Sequence, residues 1–320
     1  MKFRATFSIL VFLISASPVW SAPGGNNYSA DLVNLNYYPH EHRFFNSAHF
    51  VTAVVDGSSN SAGNSQTIAL TEFFESLSYG IAKKLWVAIS ETLLWDQTVD
   101  SLSPAQAENT TTSAGPSNPA FTVNYRYLEN HRRGFSGDLG LSVTPSLGPS
   151  ISPEASDGAT GNNLAGGWVG QISSEIYWRR GANETELAAT AVRYFYSETR
   201  GAAGAITVTD PYWQNDVKLV DRIHFSQRHY LQIGLDYTFL LDRNLVSPAS
   251  VSTQTQIAGN VSPTLLWGYS PDPDIVAQFS VNFHQGNSSR STISSSGFTT
   301  AQSTTMSTAI TATLALLHQF

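Results

Sequence analysis

The chain has 320 residues, a formal net charge of -7 and a sequence pI near 5.6, and it contains no cysteine. Such a balance excludes a nucleic-acid surface, which needs clustered Lys and Arg, and the missing thiols exclude both a disulfide framework and a lipid-attachment cysteine. Only 13% of the residues are charged while 12% are aromatic, about half the usual charged share of a quarter, a mix that suits a fold with an apolar outside.

The first 21 residues read as a secretory signal: Lys2 and Arg4 make a basic start, Phe7 to Ile14 a short apolar core, and Val19-Trp20-Ser21 a cleavage point before Ala22. That core is well short of the roughly 20 residues a helical span needs, and no other apolar run is long enough. Any membrane residence must therefore come from strands. Residues 22–43 alternate only weakly, at Leu32, Leu35, Tyr37 and Tyr38, and form a periplasmic extension or a plug. Within it, Pro39-His40-Glu41-His42 reads as a solvated linker, because two imidazoles and one carboxylate without geometry do not define a metal site. Neither a metal nor a cofactor is assigned.

From residue 44 to 320 the pattern changes to period two. Strands are expected at 44–56, 66–79, 83–96, 119–129, 135–147, 165–178, 184–199, 213–225, 229–241, 255–269, 275–285 and 305–320. The clearest is 231–241, where Leu231, Ile233, Leu235, Tyr237, Phe239 and Leu241 share one face and Gln232, Gly234, Asp236 and Thr238 the other. Phe121, Val123, Tyr125 and Tyr127 repeat the pattern, as do Leu139, Leu141 and Val143, and Ile275, Ala277, Phe279, Val281 and Phe283. Many of these runs reach about 9–11 residues, the length a tilted strand needs to cross a bilayer. Connections alternate between tight turns and long stretches rich in Ser, Thr, Asn and Gly, such as 97–117 and 286–304. Short turns at one rim and long loops at the other predict an all-β fold: a transmembrane antiparallel up-and-down barrel of about 12 strands with periplasmic turns and extracellular loops.

Two early segments conflict with that parity. Glu72 and Glu75 fall on opposite faces, which a bulge near 72–75 would reconcile, and Glu91 shares its face with Leu85, Val87, Ile89 and Leu93. Between them, Leu77-Ser78-Tyr79-Gly80-Ile81-Ala82-Lys83-Lys84-Leu85 resembles a turn of the transporter-like outer-membrane family of the phenol-degradation meta pathway. Membership would imply passage of small, aromatic or apolar compounds.

The predicted lumen face carries Asp138, Asp216, His224 and His284, and the candidate pore-lining set Arg126, Glu175, Arg193, Lys218, Arg222 and Asp236. Charges of both signs there either select a solute or neutralise one another in a narrow lumen. The basic residues Lys83, Lys84, Arg132, Arg133, Arg179, Arg180 and Arg228 fall at the short turns, and Trp86, Trp95, Trp168, Trp178, Trp213 and Trp267 near strand ends, where interfacial girdles form.

Further along, His284-Gln285-Gly286-Asn287-Ser288-Ser289-Arg290-Ser291 loosely resembles the histidine-then-serine stretch of outer-membrane phospholipases, although a Gly stands where that family has its serine. The last strand resembles the C-terminal assembly signal of bacterial outer-membrane barrels, with Ile310, Ala312, Leu314 and Leu316 in register with the terminal Phe320. His318 departs from that pattern. The resemblance implies recognition by the outer-membrane assembly machinery and contact with outer-membrane lipids. The sequence therefore predicts a bacterial outer-membrane channel or transporter for passive uptake of a small-molecule solute, with no catalytic residue. A lipid hydrolase and a closed structural or adhesive barrel are the alternatives.

Overall fold

A computed structural model describes residues 32–35, 37–59, 65–102, 108–130, 133–147, 150–151, 160–161, 167–200, 206–247, 250–295 and 298–320. The signal segment and residues 22–31 lie outside these. Among the described residues there is no helix long and apolar enough to cross a membrane. The chain is all β, and its strands close into one antiparallel barrel of 12 staves.

The staves follow in chain order: β1 Phe44–Ser59, β2 Ser65–Ala82, β3 Leu85–Leu102, β4 Ala120–Asn130, β5 Phe135–Thr144 and β6 Val169–Arg180. They continue with β7 Asn183–Tyr194, β8 Tyr212–His224, β9 His229–Leu240, β10 Asn260–Asp272, β11 Ile275–Ser295 and β12 Phe298–Gln319. Each pairs with its chain neighbours, and β12 returns to β1 from Phe45↔Gln319 to Ser59↔Thr305. The seam is finished by mutual backbone bonds between Phe44 and Phe320 at 2.9 and 3.0 Å. Closure leaves no unpaired edge, the condition a sheet must meet in hydrocarbon.

Several expected loops are strand. Glu108–Pro116 continues β4 upward, Ser250–Ala258 continues β10, and β11 and β12 pair as far as Ser295↔Phe298. These extensions are rich in Ser and Thr on both faces. They lack the alternation that a lipid face imposes, so period-two reading passes over them.

Burial confirms the expected parity on most staves. On β9, Gln232 is 8% exposed while Leu235 is 47% exposed, and the same outward apolar row runs through Phe121, Val123 and Tyr125, Leu139 and Leu141, and Phe279 and Val281. Large apolar side chains left bare on one face of every stave are costly in water and favourable in lipid. Outward Trp178 and Trp267 ring the short-turn rim, and Trp95, Trp168 and Trp213 ring the other. Ile310, Leu314, Leu316 and Phe320 are exposed on the outer face of β12.

Three positions depart from expectation. Trp86 belongs to no girdle: it pairs with Gly80 and Asn124 on the inner face and stacks on Tyr38 at 5.3 Å. The irregularity near Glu72 lies in the partner strand, where Trp95 is the extra residue between Thr71↔Asp96 and Glu72↔Leu94 and is 70% exposed. Because β2 pairs without a break from Glu72 to Gly80, Glu72 faces inward and Glu75 outward. Glu75 lies directly across from Glu91, so two carboxylates share the outer face, one receiving a 2.8 Å hydrogen bond from Asn46 Nδ2.

Candidate functional site in the barrel lumen

The inner face has two tiers. The lower tier is built by residues 32–35 and 37–40, which lie across the short-turn mouth and touch staves on every side of it. Leu32 packs with Tyr230 of β9 and Val276 of β11 into a buried apolar cluster joined by Val33, Tyr37, Phe45, Leu266 and Leu317. Two glycines make room for it. A Cβ on Gly268 would sit 2.0 Å from the Tyr230 ring, and one on Gly80 would sit 1.9 Å from the carbonyl oxygen of His40. The extension thus crosses β2 at the glycine of the first hairpin, where Gly80 also accepts from His42 N at 2.8 Å.

Polar latches hold this floor to the wall. Glu184 of β7 accepts from Leu35 N at 2.7 Å and faces Arg179 at 3.2 Å and His224 at 3.4 Å. Arg179 also donates to Asn34 Oδ1 at 3.1 Å, and Arg222 donates to the carbonyl of Val33 and, at 3.0 and 2.7 Å, to Gln232 Oε1. Each backbone group of a segment without a sheet partner of its own must find one elsewhere, and here wall side chains supply several. Tyr37 donates its phenol hydrogen to Gln319. Burial, with the Asp274 carboxylate nearby, raises the Tyr37 pKa above the usual phenol value, so the donor is retained. Tyr38 lies between the Trp86 ring and the Arg126 guanidinium, which is 4.0 Å from its centroid.

Above the floor a single cross-strand row runs around the wall: Arg126, Asp138, Glu175, Ala188, Lys218, Asp236 and Ser262, on β4 through β10. Arg126 is wholly buried and grips Asp138 through Nε and Nη2 at 2.7 and 2.8 Å. A bulge at Tyr127 sits beside it, a device that re-aims a side chain. Lys218 Nζ meets Glu186 at 3.2 Å, and Glu175 accepts from Tyr177. Asp138, Glu175, Glu186, Asp216 and Asp236 thus share this tier with Arg126 and Lys218, leaving the wall acidic.

The row ends at a polar cluster around a single histidine. His284 of β11 faces inward, with its Nδ1 hydrogen-bonded to Ser262 Oγ and 3.2 Å from Asn260 Nδ2. An amide nitrogen only donates, so Nδ1 accepts and the neutral ring keeps its proton on Nε2. The carbonyl oxygens of Asn260 and Asn282 are buried without a hydrogen-bond partner among the described residues.

Of the expected pore-lining residues, Arg126, Glu175, Lys218, Arg222 and Asp236 all face inward, though Arg222 serves the floor. Arg193 does not. Its cross-strand partner is Trp213 on the outer face, over whose ring its guanidinium lies at 5.2 Å, so it belongs to the outer girdle. β7 hides this because Ala188, Ala189, Ala191 and Val192 place small apolar residues on both faces. Arg179, Glu184 and Glu186 were readable as inward by parity, but Arg179 reads equally well as a turn cation. Ser262 carries no sequence signal of its own. Ser288 and Ser289 have side chains outside the described residues.

An apolar outer band between aromatic girdles, a polar interior and a closed antiparallel ring define the class: the chain has the fold of an outer-membrane β-barrel. Its fold is similar to that of an outer membrane channel from Pseudomonas putida F1, at TM-score 0.58 and 12% identity over 93% of this chain and 100% of that one. It is also similar to the transport unit of the autotransporter AIDA-I from Escherichia coli, at TM-score 0.53 and 10% identity over 92% and 95% of the two chains. No family model matches, and no curated protein does.

Proposed function

We propose that this barrel is a channel for passive uptake of small molecules, closed at the periplasmic mouth by residues 32–35 and 37–40. The observation that carries this reading is the contrast between the two tiers. In the floor, the buried polar atoms that lack a hydrogen bond, Glu184 Oε1 and His224 Nε2, still have ion-pair partners at 3.2 and 3.4 Å, whereas the Asn260 and Asn282 carbonyls of the wall above have no partner among the described residues. A barrel with a purely structural lumen would satisfy such groups internally, since buried polar atoms without partners cost free energy. Aromatic rings on the inner face, including Tyr194 stacked on Tyr212 at 4.5 Å, suit a solute with an aromatic or apolar part. The fold likeness to the Pseudomonas putida channel is compatible with this role. His284 points into the lumen and away from bilayer lipid, so the reading gives it no part in lipid hydrolysis.

The test is conductance of the refolded protein in a planar bilayer. Reproducible current steps are expected, with a higher open fraction in Arg222→Ala, which loses the bond to Val33. A folded barrel that stays silent in both forms would overturn the channel and leave the closed barrel.

A further inference from the structure

We infer that the lumen holds a binding subsite for a protonated amine on β9–β11, formed by Asp236, Asn260 and Asn282; this rests on the channel reading and names its solute class. Asp236 makes no hydrogen bond or ion pair with a described residue, and its cross-strand partners are Lys218 on β8 and Ser262 on β10. Ser262 is bonded to His284, which Asn260 also approaches, and Asn282 lies across from Thr264 two positions along β10. One carboxylate and two amide oxygens thus line neighbouring inward positions, the amide oxygens buried without a hydrogen-bond partner among the described residues. The missing partner is a group rich in donors.

Chemistry separates the candidates. An alcohol brings one O–H and leaves acceptors unmet, whereas a primary ammonium brings three N–H donors and no acceptor. A carboxylate solute would meet like charge at Asp236 and at Asp216 on the neighbouring β8. A metal ion is poorly served, since no group of three or more His, Asp or Glu suited to holding one occurs among the described residues. The nearest cation, Lys218, directly across from Asp236 on β8, is paired with Glu186 at 3.2 Å and makes no ion pair with Asp236. His284, holding Nδ1 as an acceptor toward Ser262 and Asn260, fixes the Asn260 amide so that its oxygen turns elsewhere.

The experiment is isothermal titration of the refolded full-length protein in detergent micelles with benzylammonium, benzyl alcohol and benzoate. Benzylammonium is expected to bind at least about tenfold more tightly than benzyl alcohol, a factor worth about 1.4 kcal/mol, with benzoate weakest. Asp236→Asn should remove that preference. Asn282→Ala, which alters no charge and serves if the first variant does not fold, should weaken the amine several-fold and leave the alcohol unchanged. Equal affinities for the three probes, or an amine preference untouched by both variants, would overturn the subsite. Conductance of the same preparation separates the two ideas: current without amine preference removes only the subsite, and amine binding without current removes only the channel.

Discussion

At the scale of single residues, the wall shows where charge is tolerated and where it is not. Arg126 and Asp138 form a buried bidentate pair, so removing one partner strands the other. Arg126→Ala is expected to cost about 3–5 kcal/mol, whereas Arg126→Leu combined with Asp138→Leu should fall close to the parent, as buried pairs exchanged for apolar residues usually do. Urea unfolding in micelles, arranged as a double-mutant cycle, checks both. Gly268→Ala presses a methyl group into the Tyr230 ring; destabilisation of about 1–3 kcal/mol is expected, the usual cost of overpacking. Glu91 makes the opposite case. It sits on the outer face opposite another carboxylate, four residues along β3 from the girdle residue Trp95. Glu91→Leu should therefore stabilise the barrel by about 1–2 kcal/mol in lipid, since acidic side chains on the lipid face are penalised though less than basic ones. A loss of stability instead would show that this face is covered by something other than acyl chains.

At the scale of elements, the floor is the feature sequence reading could least resolve. Its composition offered Leu32, Leu35, Tyr37 and Tyr38, but the bonds that seat it join residues 149, 189 and 282 positions apart, which no local pattern encodes. Glu184 makes the first of those bonds. Glu184→Gln keeps the shape and removes the charge that faces Arg179 and His224, so residues 32–35 should become accessible to protease from the periplasmic side, read as new fragments after limited proteolysis. If the cleavage pattern matches the parent, the latch is held by Arg222 and the apolar cluster instead. The transmembrane staves were legible because lipid on one side and a polar lumen on the other force period two. The upper extensions, rich in Ser and Thr, carry no such signature. β7 falls between these cases, and its small apolar residues on both faces are why Arg193 was misplaced.

At the scale of the whole molecule, parity is a global property, because every stave must agree on which face meets lipid. Single cysteines at inward Thr238 and outward Leu235 test it in intact membranes. A water-soluble thiol reagent should label the first more readily than the second, and the reverse outcome would turn the barrel inside out. Closure through β1 and β12 has a temporal consequence as well. Residues 32–40 are made before any stave, yet Tyr37 bonds to Gln319, the last residue of β12. The ring is therefore raised around its own stopper, and the stopper is fully seated only when the final strand arrives. Contacts of such long range are slow to form. A newborn barrel should pass through a stage in which its wall is nearly complete and its drain still open.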